Sequence, residues 1–259
     1  MNMKSFFIAT LFIVLCTSVS AQQYRSDIKI DGLRGNVNVV DQTLYEAKVY
    51  DGQMQRGEVL EHIQTLYTSR GYRKSMTYLS TAEDIIFRTR YKHDGFGLVT
   101  LEHIVDPAEN IIGRTYYIYD QNNILTESYV EDAERQTESR IRYKYNGNGQ
   151  VSQLSFNDPF NNIYKREVYT YAPNGEIRIA VVYDSENHKV FERRYEYDEH
   201  NQPVSYTLYD YTEVEPEVFI TLYRYRYDDQ GNWVQRTEYT LEGDKATPNY
   251  IVERKLTYF

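Results

Sequence analysis

Histidines, carboxylates and tyrosines are the residues here that could do chemistry. The histidines are His62, His93, His103, His188 and His200. A zinc site needs short fixed spacings such as HExxH, and these positions match none. Cys16 is the only cysteine and lies in a leader-like stretch. Thiolate ligands, Cys nucleophiles and disulfides therefore drop out of the remaining chain. Paired carboxylates could cleave glycosidic bonds. However, Asp94, Asp120, Asp198 and Asp228 each precede a Gly or Asn by three residues, where turn capping gives them a complete local job. There is no phosphate-cradling loop, dinucleotide fingerprint or nucleophile elbow. The sequence nominates no catalytic residue, no metal and no cofactor.

The 28 tyrosines are more regular. Tyr117, Tyr143, Tyr169, Tyr195 and Tyr225 each stand two residues before a second tyrosine. A ladder of rings could stack on sugars or grip an extended peptide. It could equally be cross-strand packing, at about 0.2–1 kcal/mol per pair. The expected cross-strand neighbours are Glu127, Gln153, Ile179, Ser205 and Gln235.

Either use requires strands, and the spacing supplies them. Gly97, Asn123, Gly149, Gly175 and Asn201 stand 26 residues apart, with Gly71 one step earlier and Gly231 a stretched step of 30 later. Gly and Asn tolerate a left-handed backbone. Asp or Asn three positions earlier completes a type I turn with a bulged fourth residue. That turn sets Tyr145 opposite Val151, Tyr171 opposite Ile177, Tyr119 opposite Leu125 and Tyr227 opposite Trp233. Likewise His93 meets Val99 and Tyr197 meets Pro203, while Tyr67 opposite Arg73 fits an apolar pairing poorly. One face is aromatic and the other largely charged, as in an antiparallel sheet with one buried side.

The expected fold class is all-β. Tandem antiparallel β-hairpin repeats, about 13–15 strands, form a large curled or folded-over sheet that buries its Tyr face. Residues 22–57 read as an N-terminal edge hairpin capping the array, and 58–259 as the repeats. The stretched units, Asp210 to Glu217 and Glu242 to Asn249, read as loops.

Residues 1–21 read as a signal peptide. Lys4 supplies the positive start, Phe6 to Leu15 the apolar run and Val19-Ser20-Ala21 the cleavage site. Leu15 stands where a lipobox has a small residue, which argues against lipid attachment at Cys16. Without Lys4 the net charge of −9 becomes −10. An acidic chain with interleaved charges lacks the basic clusters that nucleic acid requires.

Tyr225-Arg-Tyr-Asp-Asp-Gln-Gly-Asn-Trp233 resembles the YD repeat of Rhs-type and teneurin-like proteins. Leu33-Arg-Gly-Asn-Val-Asn-Val-Val40 is similar to the opening of small secreted Bacteroidetes proteins with such repeats. The resemblance spans roughly residues 33–259. It implies an exported periplasmic, surface or secreted scaffold and transfers no catalytic residue. The expected function is a non-catalytic envelope scaffold or binding module, partnered by glycan, peptide or another envelope protein. One alternative is an envelope hydrolase with its site in the irregular loops. Another is an outer-membrane β-barrel. Lys165, Glu167 and Arg193 on the Tyr face argue against that barrel, since a cation at the lipid midplane costs about 2–4 kcal/mol.

Overall fold

The computed structural model describes residues 26–259. The expected leader, with Cys16, lies outside the described residues.

Turns organise the molecule from both ends. At one end Gly71, Gly97, Asn123, Gly149, Gly175, Asn201 and Gly231 all have positive φ. Asp94 Oδ1 accepts from the Phe96 and Leu98 amides at 2.8 and 2.9 Å. Asp120, Asp198 and Asp228 accept in the same way. A second series of turns occupies the opposite end. It starts at Ser80, Asp106, Asp132, Asp158 and Asp184 and reaches positive φ at Glu83, Glu109, Arg135, Asn161 and Asn187.

Sixteen strands join these turns. They are β1 (Val37–Tyr50), β2 (Gln53–Tyr67), β3 (Arg73–Leu79), β4 (Ile85–His93), β5 (Val99–Val105), β6 (Ile111–Tyr119), β7 (Leu125–Asp132) and β8 (Thr137–Tyr145). Then follow β9 (Val151–Asn157), β10 (Ile163–Tyr171), β11 (Ile177–Asp184), β12 (Lys189–Tyr197), β13 (Pro203–Asp210), β14 (Glu217–Tyr227), β15 (Trp233–Glu242) and β16 (Lys245–Tyr258). Each pairs antiparallel with its chain neighbours, and β1 also pairs with β16, Val40 opposite Leu256 and Leu44 opposite Val252.

The sheet is therefore a closed barrel, not the expected curled or folded-over sheet. An open sheet leaves two rows of unpaired backbone groups, and closure removes both. The opening hairpin, β1 and β2, turns at Asp51 and Gly52 and is paired on either side, so it is no edge. The segment Glu242 to Asn249 is also not a loop. It is a tight turn followed by β16.

The seven pairs beside the first set of turns have the register that the turn chemistry sets, Tyr67 opposite Arg73 included. One residue further the register slips. A bulge beside Tyr145 places Tyr143 opposite Leu154. The same slip sets Tyr117 opposite Ser128, Tyr169 opposite Ala180, Tyr195 opposite Tyr206 and Tyr225 opposite Arg236. The expected neighbours Glu127, Gln153, Ile179, Ser205 and Gln235 instead pair with Ile118, Lys144, Thr170, Glu196 and Arg226. The cause is local: two residues of one strand oppose one of the other, and a one-residue shift exchanges faces.

The Tyr face points inward. Val151, Tyr169, Ile177 and Ala180 are buried together, with Tyr143, Tyr145, Leu154, Tyr171 and Tyr195 packed on them. The intervening Lys144, Thr170, Glu196 and Arg226 are exposed. The outward face carries its own charge network. Arg140 and Arg142 meet Glu127 at 2.7 and 3.2 Å, and Arg140 lies over Tyr129. Arg194 and Arg224 lie over Tyr209 and Tyr239 in the same manner.

The segment before β1 overlies part of one mouth. Its short helix α1 (Asp27–Ile30) binds the Gly71 carbonyl through the Ile28 amide. Asp27 accepts from the Arg73 amide at 2.6 Å and meets His93 Nε2 at 2.8 Å. Asp31 accepts from the Tyr67 hydroxyl at 2.6 Å and is gripped by the Arg73 fork. Further on, Arg34 exchanges two hydrogen bonds with the Asn232 side chain. Ile28, Leu33, Val37, Val40 and Tyr67 pack here as a small apolar core.

Candidate functional site

The barrel interior brings together the five tyrosines that the sequence singles out. Tyr117, Tyr143, Tyr169, Tyr195 and Tyr225 stand on β6, β8, β10, β12 and β14, every second strand of one wall. Each inner side chain has neighbours in the wall. Tyr117 donates to Glu102 Oε1 at 2.7 Å. Tyr143 and Ser128 lie 3.1 Å apart. Tyr169 donates to Glu167 Oε2 at 2.7 Å. Tyr195 packs on Tyr206 at 5.4 Å between ring centres, and Tyr225 meets Trp233 edge-on at 6.0 Å. Gly71, Gly97, Asn123, Gly149, Gly175, Asn201 and Gly231 lie away from this wall, in the turns at one mouth.

The inner face is not purely apolar. Glu167 meets Lys165 at 3.0 Å and Arg193 at 3.8 Å. Burial alone would raise the Glu167 carboxyl. Lys165, the Tyr169 hydroxyl and Arg193 outweigh it and hold the group below the usual carboxylate range. Glu102 has the opposite balance: burial raises its carboxyl, although Tyr117 donates to it. Burial likewise raises the Tyr117 and Tyr143 hydroxyls, so both act as neutral donors and acceptors.

Lys165, Glu167 and Arg193 thus face the lumen, where they pair, and they say nothing about lipid. The charges that bear on lipid are on the other face: Arg140, Arg142, Arg166, Glu192, Arg194 and Arg224. Glu253 and Lys255 of the last strand join them there, opposite Thr43 and Asp41.

Two inner residues beside Trp233 escape the tyrosine pattern: Arg236 and Arg254. The signal for them was the phase change at the bulge, which turns Arg236 rather than Gln235 inward opposite Tyr225. Arg236 pairs with Glu238 at 2.5 Å, and Arg254 lies over the Trp233 ring. The inner face of the barrel thus carries paired charges, hydroxyls and ring faces.

The chain is similar in fold to a crystal structure of a porin-like protein from Bacteroides uniformis. The TM-score is 0.55 at 10% identity, over 85% of this chain and 96% of that one. A crystal structure of TcdB2-TccC3 aligns at 15% identity with TM-score 0.29, and this chain spans 12% of its length; that likeness carries no argument. No protein-family model and no curated protein matches the chain. The porin-like neighbour and the seam between β1 and β16 agree on a closed barrel. They favour the barrel alternative over an open scaffold.

Proposed function

We propose that this protein is an exported barrel of the bacterial envelope whose lumen is its binding surface. The ligand is a glycan or an extended peptide, held along the tyrosine wall. The observation that carries this reading is the placement of Tyr117, Tyr143, Tyr169, Tyr195 and Tyr225 on alternate strands of one inner wall. The resemblance to YD repeats and the leader-like start support export.

The outward face supports a barrel standing in water. Arg142, Arg194 and Arg90 leave 48%, 52% and 47% of their side chains exposed. A lipid-facing band is apolar for about 25 Å, and an Arg at its midplane costs about 2–4 kcal/mol. Strand length agrees. The seven residues of β3, β5 and β9 reach about 23 Å, and less in height once tilted as barrel strands are.

A second reading, an outer-membrane barrel, is favoured by the closed even-stranded fold and the porin-like neighbour. Extraction separates the two. A water-facing barrel leaves the cell in detergent-free buffer and runs as a single species on gel filtration. Recovery only with detergent supports the membrane reading. Binding is tested on glycan and peptide arrays with Tyr143→Ala and Tyr169→Ala. Ligands whose binding survives both substitutions count against the tyrosine wall.

A further inference from the structure

Two guanidinium groups converge on one indole inside the barrel, near the mouth beneath α1. Trp233 opens β15. Arg254 of β16 lies 3.4 Å from the centre of its ring, and Arg236 of β15 lies 5.6 Å from it. Both side chains face inward: Arg236 lies between Tyr225 and Val252, and Arg254 stands opposite Gln42.

Their negative partners are one short. Arg236 has Glu238, but its Nε is buried without a hydrogen-bond partner among the described residues. Arg254 donates Nε to the neutral Gln42 Oε1 at 2.9 Å and forms no ion pair among the described residues. Asp31, whose charge reaches Arg254, is already committed to Arg73 and Tyr67. A buried cation without a counter-charge is costly, and a like charge beside it adds to the cost. Burial and Arg236 together pull Arg254 down to about 9. Arg236 keeps 31% of its side chain exposed inside the barrel. Tyr223 and Tyr225 flank it, with Arg236 over the Tyr223 ring at 5.4 Å.

We propose that Arg236 and Arg254 form an oxyanion subsite of the lumen, taking a carboxylate or phosphate group whose attached ring or chain lies along Tyr223 and Tyr225. The planar fork of each guanidinium matches both groups. The ligand of the lumen is then acidic, an acidic sugar rather than a neutral one. This rests on the lumen being the binding surface.

Trp233 is the chain's only tryptophan, so its emission reports this subsite. The folded full chain is titrated with glucuronate, inorganic phosphate and glucose at constant ionic strength. Glucuronate or phosphate is expected to give a saturable change in Trp233 emission and a rise in thermal midpoint, with no change for glucose. Arg254→Gln weakens that binding by about tenfold or more. If this variant does not fold, Arg236→Gln and the wild-type thermal shift carry the test. Anions that leave both signals at the chloride value up to roughly 50 mM overturn the subsite. Neutral glycans bound in a Tyr143-dependent way, without any response to anions, overturn it too and leave the lumen reading standing.

Discussion

The Tyr145 hydroxyl donates to the Leu125 carbonyl at 2.7 Å, tying one hairpin to the one before it. Tyr119 to Val99, Tyr171 to Val151 and Tyr197 to Ile177 repeat the bond at 2.9, 2.6 and 2.7 Å. The two tyrosines of each pair therefore differ in task. In these four the one nearer the turn is a strut between hairpins and the one further away lines the wall. In the fifth pair Tyr225 itself donates to the Pro203 carbonyl at 2.9 Å and Tyr227 to Asp198 Oδ2 at 3.0 Å.

Removing a strut hydroxyl leaves a shielded carbonyl unmet. Tyr145→Phe and Tyr171→Phe should each lower the free energy of unfolding by about 1 kcal/mol. Urea melts at constant m-value measure this, and unchanged midpoints would remove the strut assignment.

Gly97 and Gly175 share a left-handed backbone, at φ 86° and 90°. A Cβ on Gly97 would run into the Tyr72 ring, whereas one on Gly175 meets only Gln150 Nε2 at 3.9 Å. Gly175→Ala should cost about 1–2 kcal/mol from the backbone alone. Gly97→Ala should cost clearly more. Equal losses would show that Tyr72 gives way freely.

Arg73 and Asp31 leave only 10% and 19% of their side chains exposed. Asp31→Ala strands the guanidinium and should destabilise by about 3–5 kcal/mol. Replacing both residues with Leu should recover much of that loss. A double-mutant cycle in chemical denaturation reads the coupling, and additive losses would refute it.

Glu102 supplies a pH dependence of known sign. Burial raises its carboxyl in the folded state. Ionisation there opposes folding, and the penalty appears as pH rises from the unfolded pKa through the folded one. Glu102→Gln keeps an acceptor for Tyr117 and removes the charge. Its thermal midpoint should exceed the wild type at pH 7, and the gap should close below the ordinary carboxylate range. A lower midpoint at both ends of the titration would contradict this.

Short-range chemistry was the legible part. Asp94 before Gly97 declares its turn, and the pairing of Tyr145 with Val151 follows from loop length. The opposite turns were harder to read because Glu83, Glu109 and Arg135 hold left-handed positions that suit them poorly, although Asp106, Asp132, Asp158 and Asp184 keep the 26-residue step. The partner of Tyr143 was missed because a bulge changes the phase without changing the composition. Closure entered only through the barrel alternative, because Val40 meets Leu256 only through the stagger accumulated over the whole sheet, which no local window contains. Arg236 and Arg254 were hidden by both effects at once.

The seam between β1 and β16 also sets an order of assembly. Every other strand pair joins chain neighbours across a short turn, while the seam joins Val40 to Leu256. Bringing ends that far apart together costs about 3–4 kcal/mol more in chain entropy than closing a hairpin. Hairpins can zip as they emerge, and the seam must close last. Until then the nascent sheet carries two bare flanks able to recruit another chain. Only the docking of β16 on β1 removes both flanks at once.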